Sequence, residues 1–225
     1  MLHVESGYHL AILSSRGPLV VVLEDTEHFE RGLLVADVSG TRFLIAHLHA
    51  QDAVKRSQEA AWVAVLVEKY TRAGIPLVLL GDLNTISPLD AQCVSILGTV
   101  PTLLTDGVPT YLRQKYLREV GGGSHEVDFR PMEALLSSGL VDLFRGSGAE
   151  EDRNSCLNRC TFPSSAFGPD ADDAGNDNGH IPLRLDYALA NVLLKGLQPA
   201  LRCRREATDG VLGLSDHVAL VCANP

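Results

Sequence analysis

The chain has 225 residues, 45% of them apolar and 5% aromatic, and a formal charge of −9. That composition excludes intrinsic disorder, and no apolar run reaches the length of a membrane span. The acidity excludes a broad basic surface as the main source of affinity for nucleic acid. It leaves room for a local basic groove, or for a bound cation that reverses the field for a phosphate.

In chain order, His9–Ser14 reads as a short apolar strand and Leu19–Leu23 as a β-branched, buried one. Leu33–Val38 and Arg42–Leu48 flank the turn Ser39-Gly40-Thr41, a hairpin signal, so the first fifty residues form antiparallel strands. The period then changes across 51–72. Val63, Leu66, Val67 and Tyr70 fall at i, i+3, i+4 and i+7, one face of a helix. Gly74 ends that helix and Pro76 follows. Leu77–Leu80 is a buried strand, and strand–helix–strand is a crossover unit, which makes the chain α/β.

Residues 84–108 read as loop and short helix, and Pro131–Ser137 as helix. The stretch 146–180, with Asp170, Asp172, Asp173, Asp177 and many small residues, reads as a surface insertion. Strands resume at Leu183–Leu189 and Val218–Cys222. The apolar blocks on either side of the insertion are too small to stand alone, so a single domain over 1–225 is expected.

Five cysteines, an odd number at wide spacings, and no basic-then-apolar leader predict reduced thiols in a cytoplasmic chain. Cys156 and Cys160 stand close together, but no second pair or suitable His accompanies them, so incidental thiols are expected rather than zinc ligands.

Several hydrophobic runs end in polar groups that carry chemistry. Asp82 and Asn84 close the run that begins at Leu77; two-residue spacing puts both on one strand face, where they could orient a water and hold a phosphate oxygen. A Gly-Asp-x-Asn turn is the alternative. Asp186 is flanked by Leu185 and Tyr187. It is open to two readings: a buried carboxylate that fixes an imidazole, or a solvent-facing one paired with Arg184 at i−2. In Ser215-Asp216-His217, the Asp would suit a hard cation and the His general acid–base work. His47 and His49 share a face at the end of their strand, and a His–His zinc site is a third possibility.

Ala46-His47-Leu48-His49, Gly81-Asp82-Leu83-Asn84, Arg184-Leu185-Asp186-Tyr187 and Ser215-Asp216-His217, in that order, resemble the endonuclease/exonuclease/phosphatase superfamily, the deoxyribonuclease I-like proteins. The resemblance implies a four-layer α/β sandwich of two mixed sheets flanked by helices. It also implies a Mg²⁺-dependent phosphoric ester hydrolase, with Mn²⁺ as an alternative ion. Asp82 would position or deprotonate the attacking water, and Asn84 would bind the scissile phosphate and orient that water. His217, held by Asp186, would face the phosphate; His47 would stabilise its charge; Asp216 would bind the metal. The substrate would be a phosphorylated small molecule, a lipid headgroup or a nucleic acid, with no obligate protein partner.

One departure stands out. The family's Gln-Glu motif, the main metal-binding carboxylate, normally precedes the strand that Ala11-Ile12-Leu13-Ser14 resembles, and Glu5 lies too close to match it. The resemblance therefore implies an N-terminally incomplete sandwich. A catalytically impaired or non-catalytic binding domain is the competing reading.

Overall fold

A computed structural model of the chain describes residues 2–5, 9–15, 17–105, 108, 110–144, 152–157, 159–161, 182–197, 202–206 and 219–223. The predicted hairpin and crossover lie within a six-stranded mixed sheet. Its strands are β3 (Leu19–Asp25), β4 (Leu33–Val38), β5 (Thr41–Ala46), β6 (Leu77–Asp82), β9 (Leu140–Asp142) and β10 (Asp186–Asn191), in the order β3-β4-β5-β6-β10-β9. Only β5 and β6 run parallel, and helix α1 (Ala53–Arg72) makes their crossover. Every other neighbouring pair is antiparallel.

Alternation along the strands sorts side chains to two faces. One face presents Leu33, Val35, Leu44, Ala46, Leu77, Leu79 and Leu189 to α1 and to α5 (Arg130–Ser137). There they meet Val63, Val67, Met132 and Leu135, all fully buried. The other face carries Leu34 and Ile45, against which β2 (His9–Ile12) packs through Leu10 and Ile12. β2 pairs with β1 (Leu2–Glu5), and β11 (Arg202–Glu206) with β12 (Ala219–Ala223), as separate two-stranded sheets. This is an α/β fold with one large mixed sheet and small second-sheet elements. The described residues do not trace the full four-layer sandwich.

Between β6 and α5 the chain folds over the sheet end through α2 (Ala91–Ile96), α3 (Thr99–Leu103), α4 (Thr110–Tyr116) and the hairpin of β7 (Leu117–Gly121) and β8 (Ser124–Val127). A second core gathers there from Ile86, Leu103, Tyr116, Val127, Leu183 and Leu185.

Three expectations need correction. First, the 146–180 stretch is not wholly surface. Its described part contains α6 (Arg153–Leu157), and Cys156, Cys160 and Thr161 are buried. Second, α2 and α6 bring the Cα atoms of Cys93 and Cys156 within 5.2 Å, and the two sulfurs are bonded; Cys160 remains a buried thiol. Third, β10 begins at Asp186 and not at Leu183, so this carboxylate sits at a strand start rather than in mid-strand.

Arg184 does not pair with Asp186. It is 5% exposed, and its Nε donates to Asp90 Oδ2 at 2.8 Å and its Nη2 to Asp142 Oδ2 at 2.5 Å. Burial works against its charge, but the carboxylates of Asp142 and Asp90 outweigh that and hold it protonated. Arg159 approaches Asp90 at 3.6 Å, so two cations offset two carboxylates. The guanidinium also lies over the Tyr187 ring, and the Tyr187 hydroxyl donates toward the carbonyls of Thr85 and Arg184. Removing one partner from such a network leaves buried charge unpaired. Arg184→Met is expected to lower stability by about 3–5 kcal/mol in urea unfolding; an unchanged midpoint contradicts this role.

Candidate active site

Strands β5 and β6 run parallel, so their C-terminal ends deliver polar residues to one rim of the sheet. His47 follows β5, Asp82 closes β6, and Asp186 opens antiparallel β10 directly opposite Asp82. Residues directly opposite in an antiparallel pair share a face, so the two acidic residues lie on the same face of the sheet. Backbone bonds lock the rim together: Leu48 N–H donates to Asp82 O at 3.0 Å and Leu83 N–H to Leu185 O at 2.9 Å.

The turn after β6 is specific to its residues. Gly81 has φ +139°, and a Cβ built there would stand 1.9 Å from the Ala46 carbonyl oxygen. Only glycine allows β5 and β6 to approach so closely at this point. Asn84 adopts the left-handed region, φ 48°, which Asn tolerates better than most residues. Its backbone N–H donates to Asp82 Oδ1 at 2.8 Å, and its Nδ2 donates to Asp82 Oδ2 at 3.1 Å and to Leu48 O at 3.0 Å. Asn84 is 2% exposed. With both amide hydrogens engaged, it orients Asp82 and keeps its carbonyl oxygen as an acceptor.

His47 Nε2 lies 3.3 Å from Asp82 Oδ2. Arg31, in the β3–β4 loop, reaches the same nitrogen with Nη1. A guanidinium can only donate, so this contact casts Nε2 as the acceptor. Tyr116, at the end of α4, is 2% exposed, and its hydroxyl has no hydrogen-bond partner among the described residues. Burial, and after it the Asp82 charge, push its pKa well up, so it stays a neutral donor beside the site. Sequence reasoning missed Arg31 and Tyr116, because a charged turn residue and a lone aromatic carry no pattern of their own.

His49 has a different role from His47. Its Nδ1 accepts from the N–H groups of Gln51 and Asp52, and its Nε2 faces Glu30 at 2.6 Å. Its own N–H donates to Glu59 Oε2 at 2.6 Å. Nδ1 thus holds the loop before α1 and Nε2 meets Glu30 in the β3–β4 loop, so neither ring nitrogen turns to a zinc ion shared with His47. Asp216 and His217 lie outside the described residues.

Among the described residues no three acids, imidazoles or thiols converge as a cation site. Asp82 and Asp186 offer hard oxygens of the kind Mg²⁺ takes, but as a pair they do not complete its coordination.

No family model matches this sequence, and no curated protein does. Solved structures match it in fold. The 3'-5' exonuclease (NExo) from Neisseria meningitidis is 21% identical with a TM-score of 0.51, over 85% of this chain and 64% of its own. The AP endonuclease from Archaeoglobus fulgidus is 16% identical with a TM-score of 0.52, over 92% of this chain and 72% of its own. A further match is the 3' phosphatase NExo from Neisseria bound to product DNA hairpin, at 20% identity and a TM-score of 0.51. The chain thus shares the fold of these solved structures. It spans less than two thirds of the length of the Neisseria exonuclease.

Gly81→Ala forces β5 from β6 at the rim. It is expected to cost about 1–3 kcal/mol in thermal or urea unfolding; a variant as stable as the parent contradicts the close approach.

Proposed function

We propose that the chain is a phosphoric ester hydrolase in which a water, oriented at the Asp82–Asn84 pair, attacks phosphorus in line with the leaving oxygen. The observation that carries this reading is the convergence of His47 and Asn84 on one carboxylate at the ends of β5 and β6, with Asp186 across from it. Asp82 holds an acceptor oxygen where it can take a proton from that water. Asn84 fixes the carboxylate and leaves its own carbonyl oxygen to steer the second hydrogen. Arg31 supplies positive charge and donors toward the phosphoryl oxygens, and His47 is proposed to help stabilise their charge. Asp186 is proposed to hold the His217 ring, and Asp216 to bind the metal.

Mg²⁺, or Mn²⁺ in its place, would neutralise phosphoryl charge when bound. Hard carboxylate oxygens on the rim suit such an ion. Calorimetric titration of Mg²⁺ into the parent and Asp216→Ala proteins tests this without reference to activity.

The Neisseria phosphatase was solved with a DNA hairpin, which makes nucleic acid one candidate substrate. The charge of −9 favours a small phosphorylated molecule or a lipid headgroup. No helix among the described residues is long and apolar enough to cross a membrane.

Assay with Mg²⁺ against a chromogenic phosphodiester, a phosphorylated metabolite set, a sphingolipid and a nicked plasmid separates these substrates. Asp82→Asn is expected to lower turnover about 10²–10⁴-fold on whichever is cleaved. Equal rates for parent and variant on all of them contradict the hydrolase and favour a binding domain.

A further inference from the structure

Asp186 is placed by more than its own strand. Thr161 is fully buried, and its Oγ1 accepts from the backbone N–H of Leu185 at 3.0 Å and of Asp186 at 3.1 Å. Its own N–H donates to Leu183 O at 2.9 Å. A single hydroxyl therefore supplies the acceptor for two consecutive amides just where β10 begins. The segment 152–161 that delivers it is tied at two other points. Cys156 is bonded to Cys93 on α2, and Arg159 faces Asp90 at 3.6 Å, the carboxylate that receives Arg184 Nε. Thr161, Arg159 and Cys156 thus connect the start of β10, the Arg184 network and α2 through one short piece of chain.

The same place carries a third sulfur. Cys93, Cys156 and Cys160 line one small cavity of about 20 Å³ together with Asp90, Thr99, Arg159 and Arg184. Cys160 is a buried thiol whose Sγ lies 3.4 Å from the Cys156 carbonyl oxygen. A covalent tie between helices that are otherwise short, with a neighbouring thiol, is a bond whose making and breaking moves a segment.

We propose that Thr161 is a positioning residue for Asp186 and that the Cys93–Cys156 bond makes this positioning depend on redox state. The proposal rests on the reading of Asp186 as part of the hydrolytic centre. With the bond closed, α6 is held to α2 and Thr161 is held on the amides of Leu185 and Asp186. A dithiol reductant opens it: one reductant thiolate attacks a cysteine sulfur, the other cysteine leaves as thiolate and takes a proton. The second reductant thiol then displaces the bound cysteine. The products are two cysteine thiols and one reductant disulfide, a two-electron exchange. The segment then loses its covalent tie to α2 and is held by non-covalent contacts, among them the Arg159 ion pair and the Thr161 hydrogen bonds, and the Asp186 end of β10 loosens.

Amide hydrogen exchange at Leu185 and Asp186 reads the tether directly, whether or not the chain hydrolyses anything. Exchange there is expected to quicken about tenfold in Thr161→Val, and again in the parent after dithiol treatment, with Thr161→Ser retaining protection. On a cleaved phosphoester, Thr161→Val is expected to lower kcat about tenfold to a hundredfold with KM little changed, and Thr161→Ser to restore it. Equal exchange in the parent, its reduced form and Thr161→Val overturns the proposal. So does a cysteine pair that alkylation and mass measurement find fully reduced after mild oxidation. A parent without hydrolytic activity that still shows the exchange pattern overturns the hydrolytic reading and leaves the tether standing.

Discussion

The arrangement of this protein depends on one buried cation. Arg184 stands between Asp90, which follows β6, and Asp142, which closes β9. A charge so placed is costly unless every partner is present, and here the two carboxylates come from separate parts of the chain. The network fixes the residue two positions before Asp186. It also brings the loop after Asn84 against the start of β10. The rim where Asp82 faces Asp186 is therefore held from beneath by an ion cluster, and laterally by the close approach of β5 and β6 at Gly81.

That support explains how the proposed phosphoester site can sit on the ends of short strands. Strand ends fray unless their backbone groups are satisfied. At this rim Leu48, Leu83, Leu185 and Asp186 each donate a backbone hydrogen bond to a partner on another segment. The side chains add a second level: Asn84 clamps the Asp82 carboxylate with two donors, and His47, itself met by Arg31, stands beside it. A carboxylate held this way loses little on reorganising when a water and a phosphate arrive.

Much of this was legible in the sequence, because hydrophobic period and turn chemistry are local. β4 falls within the residues expected, α1 and α5 within a residue or two, and Gly81-Asp82-Leu83-Asn84 announced a polar strand end. What was not legible depended on distant partners. Arg184 pairs with residues 94 and 42 positions away, so its place beside Asp186 in sequence suggested the wrong partner. Thr161 lies among polar and small residues that looked like a surface insertion, and its importance comes from two amides about 25 residues downstream. Cys93 and Cys156 are 63 residues apart, and composition alone favoured thiols. The β7–β8 hairpin escaped notice because most of β7 faces solvent; only its Gly121-Gly122-Gly123 turn gave a signal.

The central claim is that the Asp82 rim activates water against phosphorus. Hydrolysis of a phosphodiester in water enriched in heavy oxygen, with Mg²⁺, tests it most directly. The account predicts one heavy oxygen in the phosphoryl product, formed by the parent protein and lost with the Asp82 carboxylate. Heavy oxygen found in the leaving alcohol instead, or no product beyond the uncatalysed rate, would contradict it.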